Sequence, residues 1–288
     1  MRDRLFLRLP EDELHGPEAG PLAPAALRAF TPHAVLQPFV GSILRYRESL
    51  AAGEELREHV VPDGSLRLVI NLGDAPGSDD GPGLAAGVIG ASAAPVQVTL
   101  RGRMHAYSVT LKPGASLALF GMPAGDFSGT QVSVEDLWGA DGTALRERMA
   151  DARSEPARVH ILQSTLAQRL RTPAAPAGPA QHAMRLMAAG ALPLREVAAR
   201  LGLSERRLQQ LFQSDVGLPP RTWRRLLRLQ ACLRRLRDHQ GPPRWAELAS
   251  DCGFYDQAHL ANEFQALCGM TPGEYWRSTV SHSSKTSA

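Results

Sequence analysis

Arginine and glutamine recur on one side of a short predicted helix at residues 205–214. The i, i+3, i+4 spacing of Leu208, Leu211 and Phe212 directs these apolar side chains inward. The side chains left on the outer face are those of Arg206, Gln209, Gln210 and Gln213. Because arginine and glutamine form bidentate hydrogen bonds with guanine and adenine in the major groove, this helix is a candidate reader of base pairs. An exposed Arg/Gln face is also common on ordinary solvated helices.

A second stretch, residues 257–266, has the same organisation with different side chains. Leu260 and Phe264 occupy its inner positions. The candidates for base contacts on its outer face are Gln257, Ala258, His259 and Asn262. His259 is equally well interpreted as a capping or packing residue near Tyr255, and one histidine does not make a metal site.

Phosphate contacts are predicted at the starts of these two helices, on the second helix itself and in the segment between the two helices. The candidate set is Ser204, Arg221, Arg224, Arg225, Asp256 and Gln265. Ser204 and Asp256 are also suitable N-cap residues, so both second helices are expected to begin just after them. Arg228 and Arg235 fit packing or intramolecular ion pairs as well as phosphate binding.

Both stretches belong to a unit that occurs twice between residues 192 and 275. The copies are offset by 51 residues at Ala198 and Ala249. The offset becomes 52 at Leu208 and Leu260, so one residue is inserted between the two helices of the second copy. Each copy reads as a helix, a glycine with an apolar residue, and a second helix, which is the pattern of a helix-turn-helix.

A third helix is predicted between the two copies. It begins at Pro219-Pro220, continues to about Arg237 and ends before Gly241-Pro-Pro243. A helix that joins two rigid units sets their separation. At a separation of about one DNA turn, roughly 34 Å, both outer helices enter successive major grooves on one face of the duplex.

Basic charge is concentrated in the duplicated part of the chain. Residues 1–180 contain 17 Lys and Arg against 20 Asp and Glu, whereas residues 181–280 contain 14 against 9. Eight of those 14 are arginines between Arg221 and Arg244. This asymmetry suits the neutralisation of phosphates, although a basic helix is often only a solvated face.

The 288 residues, 43% hydrophobic and 21% charged, predict a globular protein of about two domains. The sequence has no run of about 18 apolar residues and no secretory signal pattern, so we expect a cytoplasmic location and no membrane association. Cys232, Cys252 and Cys268 are odd in number and lack Cys-x-x-Cys spacing. Buried, reduced thiols are therefore expected rather than disulfides or zinc ligands.

Short strands are predicted in the N-terminal half. Apolar and polar positions alternate over residues 66–72, 96–100 and 107–111, between turns rich in glycine and proline. Helices are expected near residues 142–152 and 156–171. The predicted fold class is an α+β N-terminal domain, with a small antiparallel sheet or barrel plus helices, followed by an all-α domain with two helix-turn-helix motifs.

Composition divides the chain into five predicted segments. They are a loosely ordered arm (1–36), a β-rich sensor or dimerisation domain with C-terminal helices (37–171), a Pro/Ala linker (172–180), the double helix-turn-helix domain (181–280) and a disordered tail (281–288).

Polar residues of the strand region are candidates for binding a small-molecule effector. They are Arg67, Asn71, Arg103, His105 and Tyr107. Their alternation leaves open whether they line a pocket or face solvent. The loop from Gly73 to Gly87 lacks the Gly-Lys-Ser/Thr end of a phosphate-binding loop and is interpreted as a connection.

The second copy resembles the signature of a known family. The matching residues are Ala249-x-x-Cys252-Gly-Phe254-x-Asp256-Gln-x-His259-Leu-x-x-x-Phe264 and Cys268-Gly-Met-Thr-Pro272-x-x-Tyr275. This pattern looks like that of the AraC/XylS bacterial transcription regulators, and the resemblance extends over both copies. It implies a seven-helix domain that binds double-stranded DNA and activates or represses promoters. RNA polymerase becomes an expected partner, and a homodimer is left open.

The N-terminal half resembles an uncharacterised domain of one AraC-type subgroup. The matching segments are Gln37-Pro-Phe-Val40, residues 61–73 and Lys112-Pro-Gly114. That resemblance implies sensing of an unidentified signal. The second copy departs from the family, which commonly has arginine and lysine where this chain has Asn262 and Gln265. The first copy is therefore expected to dominate specificity.

Alternative classes are weighed on particular residues. A cupin-like metal enzyme would use His59 and His105, but neither belongs to a His-x-His pair followed by Glu. An adaptor with degenerate DNA binding fits the Asn262 and Gln265 departures. A DNA-repair regulator that transfers alkyl groups is disfavoured because residues 1–231 contain no cysteine. We expect no enzymatic activity, no cofactor and no metal.

Overall fold

The computed structural model describes residues 2–6, 27–78, 83–171, 178–190, 192–239 and 241–283. The described residues form a β-rich N-terminal half that ends at residue 171 and a helical C-terminal half that begins at residue 178. This division confirms the predicted fold class.

The described strands of the N-terminal half form two sheets. The strands are β1 (Arg2–Phe6), β2 (Leu27–Phe30), β3 (Val40–Ser49), β4 (Glu55–Val60), β5 (Leu66–Asn71), β6 (Gly77–Ser78), β7 (Ala86–Ile89), β8 (Val96–Arg101), β9 (Arg103–Leu111) and β10 (Gln131–Ser133). The larger sheet has the antiparallel order β10-β7-β5-β9-β3-β2. The smaller sheet has the order β1-β4-β8-β6, in which β1 runs parallel to β4. The predicted antiparallel sheet is thus split in two.

Helices cover one face of the larger sheet. They are α1 (Ala115–Phe120), a 3₁₀ helix (Ala124–Phe127), α2 (Val134–Trp138), α3 (Ala140–Asp151) and α4 (Glu155–Arg169). Leu68, Ile70 and Val109 of the sheet share a buried apolar core with Leu119 and Leu162 of the helices. The spacing of Val159, Leu162 and Leu166 on α4 therefore marks a core-facing stripe, and the two helices expected near 142–152 and 156–171 are confirmed.

The predicted N-terminal arm includes residues that the structure places in the two sheets. Strand β2 pairs with β3, and Leu36 is fully buried in the core of the larger sheet. Residues 2–6 form β1 on the smaller sheet, and the rest of the arm up to residue 26 lies outside the described residues. Proline and glutamate are uncommon in strands, so the composition of the arm did not predict the two short edge strands β1 and β2.

Helices of the structure also extend across two other predicted boundaries. Helix α5 begins at Pro179, so the end of the predicted linker is helical, as the first turn of a helix tolerates proline. Residues 172–177 lie outside the described residues. Helix α11 continues to Ser283, which extends the helical domain into the predicted tail, and residues 284–288 are again outside the description.

Seven helices form the described C-terminal half. They are α5 (Pro179–Ala189), α6 (Leu194–Arg200), α7 (Glu205–Asp215), α8 (Pro220–Asp238), α9 (Trp245–Asp251), α10 (Gln257–Cys268) and α11 (Pro272–Ser283). Phe212 of α7, Leu229 of α8 and Phe264 of α10 are fully buried in one continuous core. The three cysteines are free and buried in the same core, as expected.

The two halves contact each other. Val61 and Ala91 of the β-rich half belong to the core of the helical half. The backbone nitrogen of Gly114, just before α1, donates a hydrogen bond of 2.9 Å to the carbonyl of Asp215 at the end of α7. The β-rich half therefore lies directly against the first helix-turn-helix. Among the described residues, no helix is long and apolar enough to cross a membrane.

Candidate nucleic-acid interface

The two copies have the same turn. In the first copy Gly202 has a φ of +66°, and the Leu203 nitrogen donates to the Ala198 carbonyl at 2.9 Å. This is the hydrogen bond of a helix that ends at a left-handed glycine. The equivalent residues of the second copy, joined at the same 2.9 Å, are Ala249, Gly253 (φ +76°) and Phe254. The sequence repeat is therefore a repeat of backbone geometry.

Both second helices are capped as predicted. The hydroxyl of Ser204 accepts a hydrogen bond of 3.2 Å from the Arg207 nitrogen, and Oδ1 of Asp256 accepts one of 2.7 Å from the His259 nitrogen. These side chains are thus engaged by the helices that they begin. The Ser204 hydroxyl keeps its own O–H to donate to a phosphate, whereas the Asp256 carboxylate would repel one and leaves only the backbone N–H of that residue.

The outer face of α7 is open to solvent. Arg206, Gln209 and Gln210 are exposed, whereas Leu208 is buried. Arg206 forms no hydrogen bond or ion pair with another described residue. Gln213 lies at the edge of this surface, because a methyl group on Gly125 of the 3₁₀ helix would sit 2.7 Å from its amide nitrogen. The structure thus brings Arg206, Gln209 and Gln210 together and places Gln213 against the β-rich half.

The outer face of α10 is also exposed, at Gln257, Ala258, Asn262 and Gln265. His259 is half-buried. Its ring packs edge-on against Phe254 with centroids 5.6 Å apart, and its Nδ1 accepts a hydrogen bond of 3.2 Å from the Tyr255 nitrogen. The packing interpretation of His259 therefore has direct support, and its base contact stays a prediction.

An arginine-lined cleft of about 520 Å³ lies where α6, α7 and α8 meet. Its lining residues are Pro193, Leu194, Arg195, Glu205, Arg221, Arg224, Arg225 and Arg228. Five of these eight residues carry a guanidinium, and Glu205 is the single carboxylate among them. The cleft is therefore strongly cationic.

Two of the predicted phosphate ligands have partners within the protein. Arg224 donates a hydrogen bond of 2.6 Å to the Leu192 carbonyl, and burial, together with the charge of Arg228, lowers the pKa of Arg224. Arg225 donates from Nε to both carboxylate oxygens of Glu263 on α10, at 3.1 and 2.8 Å. Arg221, by contrast, is exposed.

Two further arginines of α8, Arg228 and Arg235, join it to the second copy. The guanidinium of Arg228 lies 5.4 Å from the ring centroid of Phe254, and it donates to the Gly253 carbonyl at 3.3 Å. Arg235 forms an ion pair of 2.8 Å with Asp251. The alternative of packing and ion pairing is therefore realised for both residues. Helix α8 is attached by its arginines to both helix-turn-helices.

The five candidate effector residues do not converge. Tyr107 pairs with Ile70 across β5 and β9 and is fully buried on the core face of the sheet. The strand alternation places Arg67 and Asn71 on the opposite face. The Asn71 amide donates a hydrogen bond of 2.7 Å to the Leu84 carbonyl, and Arg67 pairs with Asp63. No single pocket is formed by this set.

His105 and Arg103 precede Tyr107 on the same face of β9, and Arg103 is exposed. The rings of His105 and Tyr107 lie 5.5 Å apart. Burial, followed by the positive charges of Arg158, Arg47 and Arg45, lowers the pKa of His105. His59, its partner in the metal-enzyme alternative, lies on β4 of the other sheet beside Gln97. No group of three or more metal-ligating side chains is found in the described part of the chain.

Comparison with known families identifies the helical half. Residues 197–278 match the family model described as a helix-turn-helix domain, and residues 28–133 match a domain of unknown function (DUF6597). The chain carries an AraC-type helix-turn-helix domain. It is accordingly a DNA-binding transcription regulator.

Solved structures of similar regulators cover different parts of this one. A transcriptional regulator with an AraC-type DNA-binding domain from Chromobacterium violaceum is 25% identical, covering 34% of this chain and 89% of its own, with a TM-score of 0.32. ToxT from Vibrio cholerae is 11% identical, covering 82% of this chain and 98% of its own, with a TM-score of 0.44.

Two residues beside the candidate interface were not predicted from the sequence. Arg195 lines the cationic cleft from the start of α6, and its place in the first helix of the repeat was the available signal. Tyr255 is 92% exposed immediately before α10. The sequence shows a tyrosine at this position but does not show that its ring is exposed, and the exposure is what makes it a candidate for contacts.

Proposed function

We propose that this regulator binds duplex DNA with α7 and α10 in successive major grooves. The observation that carries the proposal is the identical turn in the two copies, each followed by a capped helix with an exposed polar face. In helix-turn-helix proteins the second helix enters the major groove. Helix α8 connects the two copies and is bonded to α10 and to the segment before α6, which favours a fixed separation.

The two readers, helices α7 and α10, contribute unequally to base contacts in this proposal. Helix α7 offers Arg206, Gln209 and Gln210, which suit guanine and adenine edges. Helix α10 offers Gln257, Ala258 and Asn262, with His259 already engaged by the turn. Specificity is therefore assigned mainly to the first copy.

Phosphate binding is assigned to the cationic cleft and to the helix starts. Arg221 and Arg195 supply charge at the cleft, and Gln265 contributes from α10. The backbone N–H groups of Ser204 and Asp256 lie at helix N-termini, which attract anions. Arg224 and Arg225 add charge while holding the protein framework.

Hydroxyl-radical footprinting on the promoter DNA upstream of the regulator's own gene tests the proposal. Two protected tracts on one face of the duplex, about 10 base pairs apart, are expected from two readers in successive grooves. One tract only, or protection without a defined position, would contradict the two-groove arrangement and favour an adaptor with degenerate DNA binding.

The partners of the regulator are proposed with it. RNA polymerase is the protein partner expected of a factor that acts at promoters, and a small-molecule effector and a homodimer are assigned to the β-rich half. Light scattering of the purified chain measures the oligomeric state. In vitro transcription with purified polymerase measures the sign of regulation.

A further inference from the structure

A cleft of about 330 Å³ lies in the β-rich half, between the end of β2 and the start of α4. It is lined by Arg28, Phe30, Thr31, His33, Pro156, Val159, His160 and Gln163. Its volume falls at the lower end of the range for small-molecule sites, about 300–1,000 Å³. None of these residues belongs to the DNA-reading surface.

Gln163 is a buried polar residue in the wall of this cleft. It is only 3% exposed, and its Oε1 accepts a hydrogen bond of 2.5 Å from the His33 backbone nitrogen. Its amide nitrogen donates no hydrogen bond to any other described residue. Among the described residues it does not belong to the fully buried atoms that lack a partner, so it is open to the cleft, where an acceptor of a ligand can reach it.

The rim of the cleft carries more donors. The rings of His33 and His160 lie 6.2 Å apart, and both side chains are exposed. The guanidinium of Arg28 is 2.7 Å from Glu155, whose other carboxylate oxygen is 3.0 Å from Arg45. Glu155 is thus neutralised twice over, and the surroundings of the cleft have an excess of positive charge.

The walls of the cleft are apolar. Phe30, Pro156 and Val159 contribute hydrocarbon surface, and the Phe30 ring lies 6.4 Å from the buried ring of Tyr107. Hydrogen-bond donors under positive charge select an anionic acceptor, and the walls select an apolar body. A phosphate or another polar ion would leave these walls without a partner.

We propose that this cleft binds a compact organic acid, with the carboxylate at Gln163 and the histidines and the hydrocarbon body against Phe30, Pro156 and Val159. The site is distinct from the residues predicted from the sequence as effector ligands. One wall of the cleft is formed by α4. Helix α4 packs on α1, and α1 contacts α7 of the helical half.

Titration calorimetry of the full chain with cyclohexanecarboxylate, and with the neutral cyclohexanecarboxamide of similar shape, tests the proposal. The carboxylate is expected to bind with a dissociation constant of about 1 mM or tighter. The carboxamide should bind at least ten-fold more weakly, roughly the loss of one charge-assisted hydrogen bond. Equal affinity for the two probes, or no heat from either while they stay soluble, would overturn the proposal.

Variants locate the binding. Gln163→Leu should weaken carboxylate binding about ten-fold or more because it removes the amide donor that faces the cleft. His160→Ala should weaken it by a smaller factor from the exposed rim, where the substitution leaves the core untouched. The matched controls are Gln168→Leu, an exposed glutamine on the same helix, and His182→Ala, an exposed histidine on α5.

His160→Ala decides the outcome if Gln163→Leu does not fold. Unchanged affinity in His160→Ala, or an equal loss in the two controls, would move the ligand away from this cleft.

Discussion

In the proposed mode of DNA binding, base reading depends on a few exposed side chains of α7 and α10. Arg206 is the strongest candidate, since it is exposed and forms no bond with another described residue. Arg224 and Arg225, in the same cationic region, are held by Leu192 and Glu263. A free guanidinium can adapt to a base edge, whereas a held one keeps its place in the protein.

Arg206→Ala should therefore reduce discrimination at one position of the DNA site by about 1–3 kcal/mol. The measurement is fluorescence anisotropy with the preferred duplex and its single-base variants. Arg185→Ala, an exposed arginine on α5, is the control and should leave the discrimination unchanged. Equal weakening on every duplex would show that Arg206 binds the backbone instead.

Arg221→Ala should weaken binding to all duplexes alike. The slope of log affinity against log salt is negative and should become shallower by roughly one unit, because one phosphate contact is lost. Arg153→Ala, an exposed arginine of the β-rich half, should leave the slope as it is. A slope unaltered by Arg221→Ala would remove this residue from the phosphate-binding set.

Periodicity predicted which side chains of α7 and α10 face outward, because inner apolar positions follow from helix geometry alone. It did not predict which arginines are free. That depends on Glu263 and the Leu192 carbonyl, whose proximity comes from tertiary packing. The same limit applies to His259, whose engagement by Tyr255 is visible only in the folded turn.

At the scale of elements, α8 is the part that relates the two readers. Arg224 ties it to the segment before α6, Arg225 to α10, and Arg228 to the turn at Gly253. The ion pair with Glu263 is the one that touches a recognition helix. Side chains of 36% and 15% exposure place it near the surface, where ion pairs contribute about 1 kcal/mol or less to stability.

Glu263→Gln should for this reason change the geometry of DNA binding more than the stability of the fold. We expect a weaker preference for the spacing of the two half-sites. The ratio of the affinities for the parent duplex and for a duplex with one inserted base pair should therefore be smaller for the variant. Glu247→Gln, which breaks the exposed pair with Arg244 at the start of α9, is the matched control. An unchanged spacing preference would show that this pair does not orient α10.

Strand pairing marks the limit of sequence reasoning at this scale. Alternation located β5, β8 and β9, but it could not show that β8 belongs to a different sheet from the other two. Alternation also did not show which of the five effector candidates share a face of the sheet. The pairing of Ile70 with Tyr107 separates Arg67 and Asn71 from the rest, and such register depends on partners distant in the chain.

At the scale of the whole molecule, the β-rich half packs on the DNA-reading half. The loop at Gly64 approaches α8 so closely that an added methyl would lie 2.8 Å from both Trp223 and Leu226. Gln230 of α8 donates to the Asp63 carbonyl beside it at 3.5 Å. The compositional boundary near residue 172 was visible in the sequence, but this contact across it was not.

Gly64→Ala should destabilise the full chain by about 2–4 kcal/mol, combining a left-handed backbone with overpacking at α8. Gly53→Ala is a matched control, because Gly53 also has a positive φ (+78°) but has no atoms within 4 Å of an added methyl. Chemical denaturation of both variants separates the two costs. If Gly64→Ala costs no more than Gly53→Ala, the loop does not press on α8 in solution.

Selection of binding sites from randomised duplex DNA with the full chain tests the central claim, that two unequal readers bind successive major grooves. Two information-rich blocks about 10 base pairs apart are predicted, with the sharper block changed by Arg206→Ala. Selected pools without sequence preference, or a single block, would contradict the account.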